Sequence, residues 1–483
     1  MDIVVVGGGM AGARLAQQLA PYGLGPGGAA GGVAAGAGGA GGAGGRASRT
    51  AALTVTVIGE EPHAPYNRVL LAEVLAGRYA ADMITLPGAA PRAEPRRVVR
   101  LDRAEHTVVC DDGSAVRYDR LVLATGSNPV LPPLRGLFEE GANELPAGVH
   151  AFRTMDDCLA LASAAGPGTR VVVVGGGLLG VSAAQALAAR GAQVVVAQQG
   201  EYLMERHLDE SAAQLLRTHL ESQGVEVHTE CRVRRLHTRP DPDGRRTVRA
   251  VELADGYCLG ADLVVLACGV RPRVGLASAA GLDVAKGIVV DDELRTSDPA
   301  IHAIGDCAQH AGVVYGLAGA ARDQADVLAR VLAQAVTAPP AVPTPDAEPR
   351  YTGTRALTRL TLHTGRPANP LALSETHTGT GTETGSATDT AAAGTSGEPP
   401  ARRRSFDLAA FGDPVATPGD DVLRLADATR GAYRKVIVRG DRLVGGILLG
   451  DLAAVGAVAS TWEGDEPLPS APLLHLLTND GGF

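Results

Sequence analysis

Short apolar runs rich in β-branched residues punctuate the chain: Ile3–Val6, Val55–Ile58, Leu121–Ala124, Val171–Val174, Val194–Val196 and Leu263–Ala267. They lack the strict apolar–polar alternation of a strand wetted on one face. Each therefore reads as a strand buried on both sides, as in parallel sheets. Helical periodicity lies between them, for example in Glu210–Gln223, where Leu215, Leu216 and Leu220 fall on one side. Strand and helix in alternation predict a doubly wound α/β architecture. Beyond residue 349 the rhythm changes. Ala432–Leu449 reads as two strands joined at Gly440-Asp441, an antiparallel hairpin, and marks a smaller α+β domain.

Three stretches break the pattern. Pro21–Ala52 is mostly Gly and Ala, which are entropically costly to order and carry few large side chains to offset that cost. Thr364–Arg404 is built of Thr, Gly, Ser, Ala and Pro and ends in three arginines. Both read as disordered insertions. The proline-rich segment Ala338–Pro349 reads as a linker.

Two strands run into glycine signatures. Gly7, Gly9 and Gly12 follow the first strand and open a helix, with Met10 and Ala11 between them. Gly175, Gly177 and Gly180 do the same later, so the chain carries an internal repeat. In such a loop the first glycine makes the turn and the second lets backbone N–H groups approach a pyrophosphate. The third lets helix and strand pack closely, with the helix N-terminus facing the anion. The fold class is thus α/β, with two Rossmann-like dinucleotide-binding domains and a small α+β C-terminal domain. An acidic residue belongs at the end of the second strand, ~20 residues on. Glu60 lies 48 positions after Gly12, and the Gly/Ala run accounts for the excess. Glu60 is accordingly the candidate ribose-binding carboxylate, with Glu61 as the alternative. The equivalent position of the second unit is Gln198, which can bond a ribose hydroxyl but cannot neutralise a 2′-phosphate. Arg206 is the first basic residue after it. NADH is favoured over NADPH, which stays open.

Composition narrows the partners. Asp plus Glu outnumber Lys plus Arg 53 to 44, and the chain has five Phe and one Trp, a poor kit for nucleic acid. The basic residues are almost all Arg; Lys286 and Lys435 are the two lysines. Six cysteines occur, none in a C-x-x-C pair, which fits neither an iron–sulfur cluster, zinc nor a redox disulfide. No run of about 18 strongly apolar residues offers a membrane span, and no signal peptide is expected ahead of Ile3. A cytoplasmic protein with reduced thiols is the expectation. The scattered histidines lack ligand spacing, so no metal is expected.

The two glycine signatures, Leu121–Gly126 (LVLATG) and Thr296–Asp306 (TSDPAIHAIGD), in this order, resemble the flavoproteins of the pyridine nucleotide–disulfide oxidoreductase family. The resemblance implies FAD on the first unit and a nicotinamide dinucleotide on the second. It places Ala124, Thr125, Gly126, Gly305 and Asp306 against the flavin nucleotide. Leu266–Pro272 (LACGVRP), with Gly269, resembles the point where the chain re-enters the FAD domain. Domains then run 1–127 with 268–337 (FAD), 128–267 (NAD(P)), linker 338–349, and 350–483. The segment after Glu60 has no cysteine, unlike disulfide reductases and flavin peroxidases. Pro65–Arg68 instead resembles an element of rubredoxin-reductase and nitrite-reductase flavin domains, which makes Arg68 a candidate for the FAD pyrophosphate. Glu73 stands where many relatives place a flavin-side lysine. Val314–Leu317 and the tail segments Phe406–Asp413, Tyr433–Val438 and Leu443–Asp451 resemble the flavin part of the assimilatory NADH-nitrite reductase large subunit.

The resemblance further implies an FAD-dependent oxidoreductase that passes electrons from NADH through flavin to a redox partner protein. That partner is a nitrate or nitrite reductase catalytic chain, or else rubredoxin or ferredoxin. A non-catalytic flavin-binding regulator is the reading from another class. No side-chain acid or base is nominated as catalytic. A helix starting near Leu317 is expected to offer its N-terminus to the anionic reduced flavin. The third domain serves a homodimer interface or docks the acceptor.

Overall fold

The computed structural model describes residues 1–22, 53–88, 94–139, 141, 144–337, 349–355, 357–363, 405–427, 431–450, 452, 455–468 and 477. Apart from their edges, the two insertions and the linker expected from the sequence lie outside these residues.

The apolar runs form the parallel strands expected of them. In the first unit the order is Ile301–Ala303, Arg120–Leu123, Asp2–Val6, Thr54–Ile58, all parallel. Helices Met10–Leu19 and Ala318–Thr337 pack together on one face, tied by the Arg14–Asp326 ion pair at 2.7 Å. Ile3, Val5, Leu121, Leu123 and Ile301 are fully buried among them, which explains why their strands carry no polar alternation.

The second unit is a five-stranded parallel sheet in the order Val225–His228, Gln193–Ala197, Arg170–Val174, Leu263–Leu266, Val149–Ala151. Its helix Leu178–Ala189 is buried nearly all round, from Gly180 to Leu187. The sheet, the short helix Leu71–Leu75 and strand Thr358–His363 of the last domain all pack against it, so its sequence shows no polar stripe. The chain passes between the two units twice. The crossings Ser127–Pro129 and Val270–Pro272 pair antiparallel, side by side.

The last domain is a five-stranded antiparallel sheet in the order Thr358–His363, Ser405–Gly412, Arg442–Leu449, Ala432–Arg439, Asp421–Asp427. Gly440 and Asp441 make the two-residue turn expected, with Gly440 at φ +63°. One face buries Val436, Val438 and Leu448 under helix Val455–Gly464. The other joins Leu362, Leu408, Tyr433 and Ile447 to the core of the second unit. That junction contains a buried cation. Lys435 donates to Asp209 at 2.9 Å and to the Pro414 carbonyl at 2.7 Å, and the Tyr433 hydroxyl donates to the same carboxylate at 2.7 Å. Asp209 also caps helix Glu210–Ser222 by accepting from Ala212 N. Burial opposes ionisation, yet Tyr433 and Lys435 hold the Asp209 carboxyl below its usual range.

Candidate functional site

The two glycine loops take nearly the same backbone angles at matching glycines. Gly7 and Gly175 sit at φ +114° and +109°. Gly9 and Gly177, the N-caps of their helices, sit at (−74°, −167°) and (−76°, −177°). A Cβ on Gly7 would strike the Ala124 carbonyl, and one on Gly175 the Ala267 carbonyl at 2.5 Å. A Cβ on Gly12 or Gly180 would strike the carbonyl of Gly7 or Gly175 within its own loop. These four glycines are demanded by the fold. Gly9 and Gly177 are different: a Cβ there would meet nothing within 4 Å, and their dihedrals suit any residue. Glycine at both positions keeps open a space that the protein itself does not fill. A pyrophosphate approaching backbone N–H groups at a helix N-terminus needs that space, so the cradles fit dinucleotides.

Both loops open onto one cleft of about 1470 Å³. Met10, Ala11, Glu60, Arg68, Ala124, Thr125, Gly126, Gln198, Gly269, Gly305, Asp306 and Leu317 line it together with Gly7, Gly9, Gly175 and Gly177. Gly12 and Gly180 lie behind it, in the helix–strand contacts. Glu60 stands just past strand Thr54–Ile58 and is ion-paired with Arg273. Glu61, the alternative carboxylate, instead accepts from Tyr66 and Arg68, each at 2.6 Å. Burial works against its charge, but Arg68 and the Tyr66 hydroxyl hold it below the usual carboxylate range. Arg68 also donates to the Arg153 carbonyl at 2.6 Å and lies over the Tyr66 ring. Its guanidinium therefore organises this wall of the cleft. Glu73, in the place of the lysine, pairs with Arg78 at 2.6 Å.

Asp306 sits in a single 3-10 turn, Gly305–Cys307, with Gly305 at φ +78°. It accepts from Ser127 Oγ at 2.9 Å and from Arg153. Arg153 in turn donates to Ser127 Oγ at 2.6 Å. The cluster joins three elements from both units and was not foreseen. The signal for it is Thr154–Asp157. These residues form a capping box with the Asp157 N to Thr154 Oγ1 bond at 3.1 Å, which fixes Arg153 just ahead of helix Met155–Ala164. Arg273 was missed too; its carbonyl accepts from Thr125 Oγ1 at 2.8 Å. Leu317 precedes helix Ala318–Thr337, whose first residues face the cleft.

In the second unit Gln198 is engaged within the loop. Its Oε1 accepts from Gly176 N at 2.8 Å and its amide reaches the Tyr202 carbonyl at 3.4 Å. The ribose contact expected of Gln198 thus competes with a structural one. The repeat also runs further than the glycine signatures. Leu121–Gly126 (LVLATG) matches Val264–Gly269 (VVLACG), and Ala124 and Ala267 are the two residues whose carbonyls the first glycines abut. Cys231 and Cys268 line the cleft, and burial pushes both thiols up. All six cysteines are free. The described residues hold no cluster of three or more His, Cys, Asp or Glu suited to a metal, and no helix among them is long and apolar enough to cross a membrane.

Comparison with known proteins agrees with this geometry. The pyridine nucleotide-disulphide oxidoreductase family matches residues 33–325, and the rubredoxin NAD+ reductase C-terminal domain matches 405–461. The chain is 31% identical over 404 residues to an NAD(P)H nitrite reductase of Bacillus subtilis (strain 168), covering 82% of this chain and 42% of that one. It is 36% identical over 282 residues to the assimilatory nitrate reductase electron transfer subunit of the same organism, covering 57% of this chain and 35% of that one. The chain therefore spans less than half the length of these two curated relatives. Its fold matches that of putidaredoxin reductase in a covalent complex with putidaredoxin, at TM-score 0.70 and 21% identity over 99% and 98% of the two chains. With two dinucleotide cradles on one cleft and a family match over more than half its length, the chain belongs to the pyridine nucleotide-disulphide oxidoreductase family and is an FAD-dependent NAD(P)H oxidoreductase.

Proposed function

We propose that this chain is the electron-transfer component of nitrate or nitrite assimilation, taking reducing equivalents from NADH and delivering them to a separate cofactor-bearing partner. The observation that carries the electron-transfer part is the pair of matched glycine cradles opening on one cleft without a paired thiol beside them. A bound FAD would supply the chemistry that links two-electron hydride transfer from the nicotinamide to one-electron delivery. The chain's own residues bind and orient. Gly7 and Gly9 would cradle one pyrophosphate and Gly175 and Gly177 the other, while Gly12 and Gly180 pack helix against loop behind them. Asp306, oriented by Arg153 and Ser127, accepts hydroxyls of the flavin nucleotide, and Glu60 accepts those of its ribose. The N-terminus of helix Ala318–Thr337 offers its partial positive charge to the cleft.

The nitrogen-assimilation part rests on likeness. The first two curated relatives carry nitrate and nitrite reductase names. A second reading, a ferredoxin reductase, is favoured by the 36% identity over 260 residues to a probable ferredoxin reductase of Castellaniella defragrans. Anaerobic mixing of the FAD-loaded chain with NADH tests the first step: the flavin absorbance bleaches in a single turnover. Persistence of the yellow colour refutes electron transfer and leaves the regulatory reading. Steady-state turnover with a sirohaem or molybdenum partner, set against rubredoxin and ferredoxin, then separates the two acceptor classes.

A further inference from the structure

We infer that Glu205 selects the coenzyme. It is the carboxylate that reads the adenosine ribose in the second unit, in the place that sequence spacing gives to Gln198. The inference rests on the proposed binding of a nicotinamide dinucleotide by the second unit.

Four observations converge on it. First, Gln198 is spent: its Oε1 holds Gly176 N and its amide turns toward the Tyr202 carbonyl. Second, the loop after the strand folds back onto the glycine signature. Met204 N donates to the Gly176 carbonyl at 2.9 Å, so the Gly176 peptide is held at both ends. Third, Met204 sits at φ +53°, a left-handed conformation that costs a non-glycine residue energy and that packing must impose. Met204 and Leu203 are both buried, which anchors this turn. Fourth, the turn lays the next side chain over Gly200, where a Cβ would collide with the Glu205 carboxylate and come within 2.8 Å of Gln198 Nε2.

Glu205 thus brings a carboxylate back to the end of strand Gln193–Ala197, against Gly200 and within the cleft. Gly200 is its seat, since any side chain there would displace it. No hydrogen bond or ion pair among the described residues occupies this carboxylate, and the residue is exposed. A carboxylate at this place accepts from ribose hydroxyls and repels a 2′-phosphate. Arg206 and Arg232 line the same region and are the counter-candidates, because they suit a 2′-phosphate. The Glu205 carboxylate lies against Gly200, beside the Gln198 side chain just past the strand, and that placement favours the unphosphorylated coenzyme.

Calorimetric titration of the FAD-loaded chain with NAD+ and with NADP+ tests the inference without turnover. The wild-type chain is expected to bind NAD+ about ten-fold or more tighter, the usual worth of a hydrogen bond to a charged group. Glu205→Ala brings the two affinities to within about three-fold. Gly200→Ala, which keeps the carboxylate but removes its seat, does the same. Glu201→Ala, an exposed acid of the same loop, leaves the ratio unchanged. An unaltered ratio in Glu205→Ala overturns the inference, and so does a wild-type preference for NADP+, which would hand the role to Arg206 and Arg232. Failure of the wild-type chain to bind either dinucleotide sinks the underlying nicotinamide site as well, and so is distinct from the first two results.

Discussion

Alanine at Gly9 separates a glycine kept for folding from one kept for a ligand. Gly9 has dihedrals any residue adopts, and its missing Cβ faces open space. Removing glycine from the unfolded ensemble stabilises by about 0.4–1 kcal/mol, while losing a glycine N-cap costs a similar amount. The FAD-stripped variant should therefore unfold within about 1 kcal/mol of wild type. The methyl group would stand where the proposed pyrophosphate approaches the helix N-terminus. Loss of two charge-assisted hydrogen bonds, at about 1.5–3 kcal/mol each, weakens FAD by about 3–6 kcal/mol, or roughly 10² to 10⁴ in affinity. Quenching of FAD fluorescence on titration into stripped protein measures this, with thermal denaturation of the same protein alongside. Gly12→Ala gives the opposite pattern. Its Cβ meets the Gly7 carbonyl, so the stripped fold itself loses stability, by about 1–3 kcal/mol for overpacking. Gly177→Ala repeats the Gly9 result at the other cradle: FAD stays bound while the affinity for NADH falls. A Gly9→Ala protein that holds FAD within about three-fold of wild type refutes the ligand account of these glycines.

Arg153→Ala strips Asp306 and Ser127 of a shared donor, and FAD release on dialysis should rise by about ten-fold or more; unchanged retention would make Arg153 a purely structural link between the units. Asp209 has its folded pKa lowered, so it contributes stability that is present above its unfolded value near 3.9 and lost as pH falls through the folded value. Asp209→Asn should accordingly flatten the acid limb of thermal stability below about pH 4. At neutral pH it should cost about 3–5 kcal/mol, because Lys435, its side chain 4% exposed, is left without its carboxylate; a parallel curve in differential scanning calorimetry would refute the pairing. Cys268→Ser should leave NADH-driven reduction of an artificial acceptor at its wild-type rate, because burial pushes that thiol up and no second thiol pairs with it; a large loss of turnover would reinstate thiol chemistry.

The strands were legible because burial on both faces writes itself as unbroken apolar sequence. The glycine loops were legible because steric demand at Gly7, Gly12, Gly175 and Gly180 leaves one residue type. The position of Glu60 just past the second strand was legible across the inserted Gly/Ala run because parallel pairing fixes where a strand ends: Val6 lies opposite Ile58. Arg153, Ser127 and Arg273 stayed hidden for a different reason. Each reaches the site from a segment remote from the motif it serves, and a single arginine among 44 basic residues carries no local mark. Glu205 stayed hidden because its position depends on a left-handed Met204, which sequence spacing does not announce. The Gln198 expectation missed the competing bond to Gly176 N because a side chain returning to its own loop depends on the fold of residues 199–204.

The near-identity of the two cradles shifts the question of cofactor identity away from the glycines. Backbone N–H groups at a helix N-terminus read a pyrophosphate and nothing beyond it, so the residues outside the loops must discriminate. In the first unit that surrounding comes from distant segments: Arg153 and Ser127 converge on Asp306, and Arg273 reaches Glu60. Arg153 follows a strand of the second sheet while Asp306 follows a strand of the first, so this wall holds only while both units stay together. A nucleotide gripped there is built in with the domain contact and suits a resident group. In the second unit the proposed selecting residue Glu205 and the engaged Gln198 lie on one continuous strand-to-loop segment. A dinucleotide bound there can leave without parting the domains. On the proposed reading, the same glycine geometry would serve a cofactor that stays where both units close on it and a coenzyme that exchanges where they do not.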